Sequence, residues 1–386
     1  MPTPGEHMTS HDGVRVAIAH DYLTQRGGAE KVVLAMARAF PDAPIYTTLF
    51  EPSTTFPEFA NLDVRPSALN RIGFLRKNHR AALPLLPFAS SSIEIDADVV
   101  LTSTSGWAHG FRTSGRTLVY CYSPARWLYE SQMYLGQSRS LLKRVALAVL
   151  SYPLRIWDRR AALSADRYLA ISTVVQQRIT DAYGITSTVL PAPFTVEAAP
   201  EEPIPEVQAW LGDSGYYLCI SRLLPYKNVD KVMAAFAGTD RKLIVVGRGP
   251  EADRLRKLKS DNVLMLSDLS SGQITWLYQG CNGLVAASYE DYGLTPIEAG
   301  YHGKPSAVLR WGGFLDTVDE GVTGVYFDQP QPDSIREAVG ALERTHWEPS
   351  KIQNHVEQFS EERFAAELYA AVTDIHAGRI ERTASR

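Results

Sequence analysis

Two glutamates with seven residues between them, Glu290 and Glu298, lie in the run Ser288-Tyr289-Glu290-Asp291-Tyr292-Gly293-Leu294-Thr295-Pro296-Ile297-Glu298-Ala299-Gly300. The run follows a short apolar stretch, Gly283 to Ala286, that reads as a strand, and Pro296 suits the first turn of a helix. Glu290 then falls in a strand-to-helix loop and Glu298 in the helix's first turns, at the carboxyl end of the strand where open α/β sheets bind ligands. The backbone amides of Gly293, Leu294 and Thr295 would point at an anion there. A second segment, Ser221-Arg222-Leu223-Leu224-Pro225-Tyr226-Lys227-Asn228, sets two cations, Arg222 and Lys227, at the tip of another strand-to-helix unit. Such a pair can hold a diphosphate and neutralise the charge that grows on it as it leaves. A third, Val245-Val246-Gly247-Arg248-Gly249-Pro250, is a tight strand-to-helix turn. Taken singly, the acid pair could be a solvated face, the cations surface charges and the Gly27-Gly28 pair a turn; their company gives them meaning.

The elements that must position these residues fall into two similar halves. Val14 to Ala19 is a β-leaning run that leads through Gly27-Gly28 into the helical pattern Glu30 to Phe40. Tyr216 to Ile220 opens a second half in the same way and leads into Val229 to Phe236. Further strands at Val99 to Leu101, Thr117 to Tyr120, Arg167 to Ile171, Lys242 to Val246 and Asn262 to Leu266 are nearly continuous apolar runs, the kind that suits parallel sheets covered on both faces. Pro191 to Pro205 has no apolar period and reads as a linker. The expected division is 1–195, 196–360 and a closing segment 361–386, whose helix Glu361 to Ile375 packs back on the first domain and ends in a polar tail.

Together these motifs resemble the family 4 retaining glycosyltransferases. The resemblance implies an α/β protein of the GT-B type, with two Rossmann-like, doubly wound parallel-sheet domains facing across a cleft. The segments His20-Asp21-Tyr22-Leu23-Thr24-Gln25-Arg26-Gly27-Gly28-Ala29-Glu30 and Tyr120 to Tyr129 look like the polysaccharide and lipopolysaccharide mannosyltransferase branch. By that likeness Glu290 contacts the donor sugar, Glu298 the ribose hydroxyls, and Arg222 and Lys227 the diphosphate. Gly27 and Gly28 approach the diphosphate from the other domain, Gly247 belongs to the donor site, and the main chain at Leu266 reads the nucleobase. The implied activity is transfer of a hexose, mannose from GDP-mannose before UDP-hexoses, with no cofactor or metal, to a glycan or lipid-linked glycan of the cell surface. The alternative is a non-catalytic sugar-nucleotide-binding or scaffolding protein of the same fold. One departure bears on that choice: relatives carry a histidine where this chain has Tyr122, and a tyrosine is a poor base near neutral pH. Either Tyr122 takes a positioning role or His109 reaches the same pocket.

Composition narrows the classes further. The 386 residues carry a formal charge of -4, which argues against nucleic acid as a partner. A Rossmann dehydrogenase is disfavoured because neither half opens with the Gly-x-Gly-x-x-Gly fingerprint. Cys121, Cys219 and Cys281 lack metal-ligand spacing and sit by apolar runs, as buried thiols of a reducing compartment do. No signal-peptide pattern or membrane-spanning run is visible, so a cytoplasmic protein is expected. Asp96-Ala97-Asp98 matches a metal-binding Asp-x-Asp but precedes a strand, and a strand-entry turn is the expected reading. Two segments, Arg65 to Ile93 and Arg139 to Arg160, mix cations such as Arg71, Arg76, Lys77, Arg80, Lys143, Arg144, Arg155 and Arg159 with apolar residues. They read either as ordinary core-packed helices with arginines in water or as a face that meets an anionic membrane.

Overall fold

The computed structural model describes residues 13–83, 85–129, 141–195 and 199–379, leaving out the side chains of 79, 80, 127 and 141–150. Its contacts divide the chain into two units, Met1–Pro193 with Glu361–Arg386, and Phe194–Ser360.

In the first unit, strands β1 (Val16–His20), β2 (Ile45–Thr47), β3 (Val64–Pro66), β5 (Val99–Thr104), β7 (Arg116–Cys121), β8 (Arg167–Ala170) and β9 (Thr188–Val189) form one sheet in the order β3-β2-β1-β5-β7-β8-β9. Every pairing in it is parallel. A two-stranded ladder of β4 (Glu94–Ile95) and β6 (Arg112–Thr113) stands beside it. All residues of β1 and β5 are buried, as expected of strands with helices on both faces. The chain order reverses between β1 and β5, and at such a switch point neighbouring strand-end loops diverge and leave a crevice. The helix Glu361–His376 belongs to this unit. Its Phe364 ring meets Tyr120 edge-on with centroids 5.6 Å apart, and Glu361 accepts from Arg38 at 2.7 Å.

The second unit repeats the plan. Strands β10 (Tyr216–Ile220), β11 (Lys242–Val246), β12 (Val263–Leu266), β13 (Gly283–Ala286), β14 (Ser306–Leu309) and β15 (Gly324–Phe327) form a parallel sheet in the order β12-β11-β10-β13-β14-β15. Alternate side chains feed two cores. Tyr217, Cys219, Leu243 and Val245 join the cluster on one face, whereas Tyr216, Leu218, Ile244 and Val246 join the cluster on the other. Here the switch point lies between β10 and β13. The loops that leave these two strands are those that carry Arg222, Lys227 and Glu290.

Candidate active site

The loop after β10 is held by backbone contacts that only glycine permits. A Cβ at Gly247 would lie 1.9 Å from the Ser221 carbonyl oxygen, and one at Gly249 would lie 2.3 Å from that of Leu223. Leu223 donates its amide to the Arg248 carbonyl at 2.8 Å, closing the two loops on each other. Gly247, expected at the donor, thus has a steric reason within the protein itself: it lets the turn after β11 brace the segment that bears Arg222. Its amide also donates to the Leu266 carbonyl at 3.0 Å, so the main chain at the end of β12 is tied to the same turn.

The same loop ends in a 3₁₀ turn, Pro225–Lys227, followed by Asn228 in the left-handed conformation (φ 52°), which asparagine tolerates better than most residues. The Asn228 side-chain amide donates to the Ala287 carbonyl at 2.8 Å and so pins the β10 loop to the β13 loop. That bridge brings Lys227 to Glu290. The lysine is 7% exposed, its Nζ contacts Oε1 of Glu290, and the same oxygen accepts from Ser288 Oγ at 3.0 Å. The main chain of Glu290 is held as well, since its carbonyl accepts from Gly313 at 2.9 Å. Arg222, by contrast, is exposed, and its guanidinium reaches the Tyr226 hydroxyl at 3.5 Å.

Gly293 caps the next helix, Leu294–Tyr301, with φ 88°, and a Cβ there would lie 2.6 Å from the Phe314 ring. Both facts exclude a larger residue at that corner. The helix lifts Glu298 from its first turns, where the carboxylate Oε2 accepts from Tyr278 Oη at 2.6 Å. Leu294 and Thr295 open the helix and are half-buried, beside the buried Gly293. The structure therefore gathers Lys227 with Glu290 and puts Gly293, Leu294, Thr295 and Glu298 on the helix start that follows.

The first unit holds a second polar cluster at its own switch point. Asp21, just past β1, is buried and accepts from Thr104 Oγ1 at 2.8 Å and from the amides of Ser105, Trp107 and Ala108 at 2.6, 3.1 and 2.7 Å. It shapes the loop after β5. His20 Nδ1 lies 2.9 Å from Ser103 Oγ, which lies 2.9 Å from the Tyr122 hydroxyl, and that hydroxyl donates to the Ala29 carbonyl at 3.1 Å. Tyr122 thereby fastens the start of the helix Gly28–Ala39 to the strand ends. Burial pushes its hydroxyl well above the usual tyrosine range, so it stays a proton donor and cannot serve as a base. Beneath the glycine pair, Glu30 is 1% exposed, and its Oε2 lies 2.6 Å from where a Cβ of Gly27 would stand. Burial raises the Glu30 carboxyl above its ordinary range, opposed by the nearby His20.

His109 does not join this cluster, contrary to the alternative that it reaches the pocket of Tyr122. It is buried with its Nε2 3.0 Å from Asp158 Oδ1, and the other oxygen of Asp158 accepts from Tyr129 at 2.8 Å and Tyr183 at 2.9 Å. A carboxylate buried among aromatic rings needs polar partners, and His109 is one of them. The two aspartates of the Asp-x-Asp are likewise engaged: Asp98 accepts from the Arg15 backbone and side chain at 2.9 Å, and Asp96 from the same guanidinium at 3.4 Å. The pattern of residues gave no hint of Ser288, Ser103 or Tyr278. Asn228 had a local signal, an Asn directly ahead of an apolar helix.

Comparison with known proteins follows the same outline. A model described as Glycosyl transferases group 1 matches residues 200–361, and one described as Glycosyltransferase Family 4 matches residues 26–197. The chain is 25% identical over 373 residues to an alpha-1,3/1,6-mannosyltransferase of Dictyostelium discoideum, covering 81% of this chain and 85% of that one. It is 27% identical over 208 residues to a GDP-mannose-dependent alpha-(1-6)-phosphatidylinositol monomannoside mannosyltransferase of Mycolicibacterium smegmatis, a match that spans about half of each (48% and 54%). Among solved structures, an Anabaena protein in complex with UDP and glucose superposes with a TM-score of 0.64 at 16% identity over 93% of this chain and 99% of that one, a likeness of fold.

Proposed function

The chain belongs to family 4 of the glycosyltransferases, and from that premise we propose that it is a retaining, metal-independent enzyme that moves mannose from GDP-mannose to a glycan or lipid-linked glycan of the cell surface. The observation that carries the reading is the convergence of Lys227, Glu290 and Glu298 at the β10/β13 switch point. A cation beside a carboxylate, a helix start and a second carboxylate suit a ligand with a diphosphate between two hydroxyl-rich sugars. In this reading residues 196–360 hold the donor and 1–195 the acceptor. Lys227 and Arg222 meet the diphosphate, Glu290 the mannose and Glu298 the ribose. The bond from the anomeric carbon to the diphosphate breaks while the acceptor oxygen bonds that carbon on the same face, and the departing phosphate takes the acceptor's proton. The charge that builds on the leaving group is met by the two cations and the helix amides. Tyr122, a hydroxyl tied to Ser103 and Ala29, serves to position the glycine turn and takes no proton.

The preference for mannose rests on the two mannosyltransferase relatives and for GDP on the printed donor of the second. A lipid-linked acceptor is supported by the surface of the first unit, where Ile72, Phe74, Leu85, Phe88, Tyr152 and Ile156 stand in water near the exposed Arg71, Lys77, Arg155 and Arg159. Such a face can dock reversibly on the anionic inner surface of a membrane. Arg76 does not belong to it, because its guanidinium binds the buried Glu51 at 2.7 Å; the side chains of Arg80, Lys143 and Arg144 lie outside the described residues. Among the described residues no helix is long and apolar enough to cross a membrane.

The test is a purified sample offered GDP-mannose and UDP-glucose, with melting temperature, donor consumption and the anomeric configuration of the product as readouts. GDP-mannose should raise the melting point and be consumed with retention. Stabilisation by UDP-glucose alone would reverse the donor, an inverted product would overturn the mechanism, and binding without turnover would favour the scaffolding alternative.

A further inference from the structure

Tyr278 sits near the end of the helix Ser271–Gly280, which a reciprocal capping box opens: Ser270 Oγ accepts the Gln273 amide at 3.1 Å, and Gln273 Oε1 accepts the Ser270 amide at 3.0 Å. Its ring is 2% exposed and belongs to the apolar cluster that includes Leu277, Leu284 and Ala299. Only its hydroxyl leaves that cluster, and it ends 2.6 Å from Oε2 of Glu298. The His302 ring lies parallel to it (11°) with centroids 5.5 Å apart. The ring is therefore fixed in place and orientation, with one hydrogen-bond donor delivered to one carboxylate oxygen. Burial, and then the charge of Glu298, push this hydroxyl well above the usual tyrosine range, so it remains a donor. Burial also lowers the His302 imidazole, which keeps the stacked partner uncharged at neutral pH.

A glutamate on a helix surface has three rotatable bonds, and ordering it against a ligand costs entropy. A donor fixed within the core removes most of that freedom before the ligand arrives. We propose that Tyr278 is the positioning residue for Glu298 and, through it, sets how strongly the site prefers a ribonucleotide to its 2′-deoxy analogue. The inference rests on the reading of Glu298 as the ribose-binding group. A purely structural Tyr278 would affect melting temperature but not the choice between two sugars that differ by one hydroxyl.

Affinities for GDP, UDP and their 2′-deoxy forms, measured by calorimetry on the full chain, test it. The wild type should prefer the ribonucleotides by about tenfold or more, the cost of leaving a charged acceptor without its hydroxyl. Glu298→Gln should bring the ratio close to one. Tyr278→Phe should lower the ratio by roughly threefold or more, and kcat/KM for the donor should fall further than kcat. If the wild type binds no nucleoside diphosphate, or if Glu298→Gln keeps the wild-type ratio, the ribose reading falls and the inference with it. If Glu298→Gln abolishes the preference while Tyr278→Phe keeps it, the inference alone is overturned.

Discussion

Removing the ammonium of Lys227 strands a carboxylate, and the size of that effect can be worked from the site. Lys227 is 7% exposed, the Glu290 side chain 27%, and the contacted oxygen has Ser288 as its other neighbour. At an ordinary ion-pair separation of about 3 Å and an effective dielectric near 20, the attraction amounts to roughly 5 kcal/mol. Each group's own desolvation cancels in a double-mutant cycle, and screening and relaxation around the 27% exposed Glu290 side chain reduce the pairwise attraction. A coupling of about 2 kcal/mol is expected, in the range measured for residues in contact. Chemical unfolding of Lys227→Met, Glu290→Gln and the double variant reads it directly. Each single change should destabilise the second unit, and the double should cost about 2 kcal/mol less than their sum. A saturating donor should shrink this coupling, because the lysine then serves the diphosphate, while turnover of Lys227→Met falls by about 10²–10³. Additivity to within about 0.5 kcal/mol in the ligand-free protein would refute the pairing.

Arg222→Ala, in which an exposed guanidinium is lost, should keep wild-type stability to within about 0.5 kcal/mol yet lower kcat/KM by at least tenfold; near-normal turnover would remove Arg222 from the diphosphate. Gly293→Ala combines a left-handed φ with a collision at Phe314 and should cost about 2 kcal/mol or more, read as a fall in the melting temperature of the second unit. Transfer should persist in EDTA, and activity that is lost there and restored by Mg²⁺ or Mn²⁺ would return Asp96 and Asp98 to consideration. Glu30 supplies a pH test: its folded carboxyl is raised, so the protonated form favours folding below the unfolded value and that advantage is lost as pH rises through the folded value. Glu30→Gln should therefore gain in melting temperature relative to wild type on going from acidic to mildly basic pH, and a constant difference would refute the assignment.

The central strands were legible because burial on both faces demands continuous apolar runs; Tyr216–Ile220, Lys242–Val246 and Gly283–Ala286 have the bounds that their sequences suggest. The edges were not. β2 and β3 have three residues each, and β3 ends on Pro66, which a strand accepts only where no neighbour needs its amide. Site geometry was harder to read, since Lys227 and Glu290 are 63 residues apart and meet where the Asn228 side chain and the Tyr289 amide bridge the two loops. Local pattern does not show every cause. Gly247, placed at the donor by the resemblance, also has a reason inside the protein, the Ser221 carbonyl, while His109, the alternative for the pocket of Tyr122, lies against Asp158, an acid of the helix Leu141–Ser164. Tyr278 carries the pattern of a core aromatic, which its ring is; only its last atom does anything else.

The return of the helix Glu361–His376 to the first unit separates the order of synthesis from the order of folding. The second unit is one unbroken stretch and can close as soon as it leaves the ribosome. The first unit is begun before the second and completed after it, because Phe364, Leu368, Val372 and Ile375, all buried in the finished protein, are synthesised only once Ser360 has been passed. Until then the sheet face around Tyr120 lacks this helix as cover, for the whole time that the second unit is being made. At elongation rates of about 5–20 residues per second that interval is roughly ten seconds or more, long enough for a chaperone to decide how much of the chain matures.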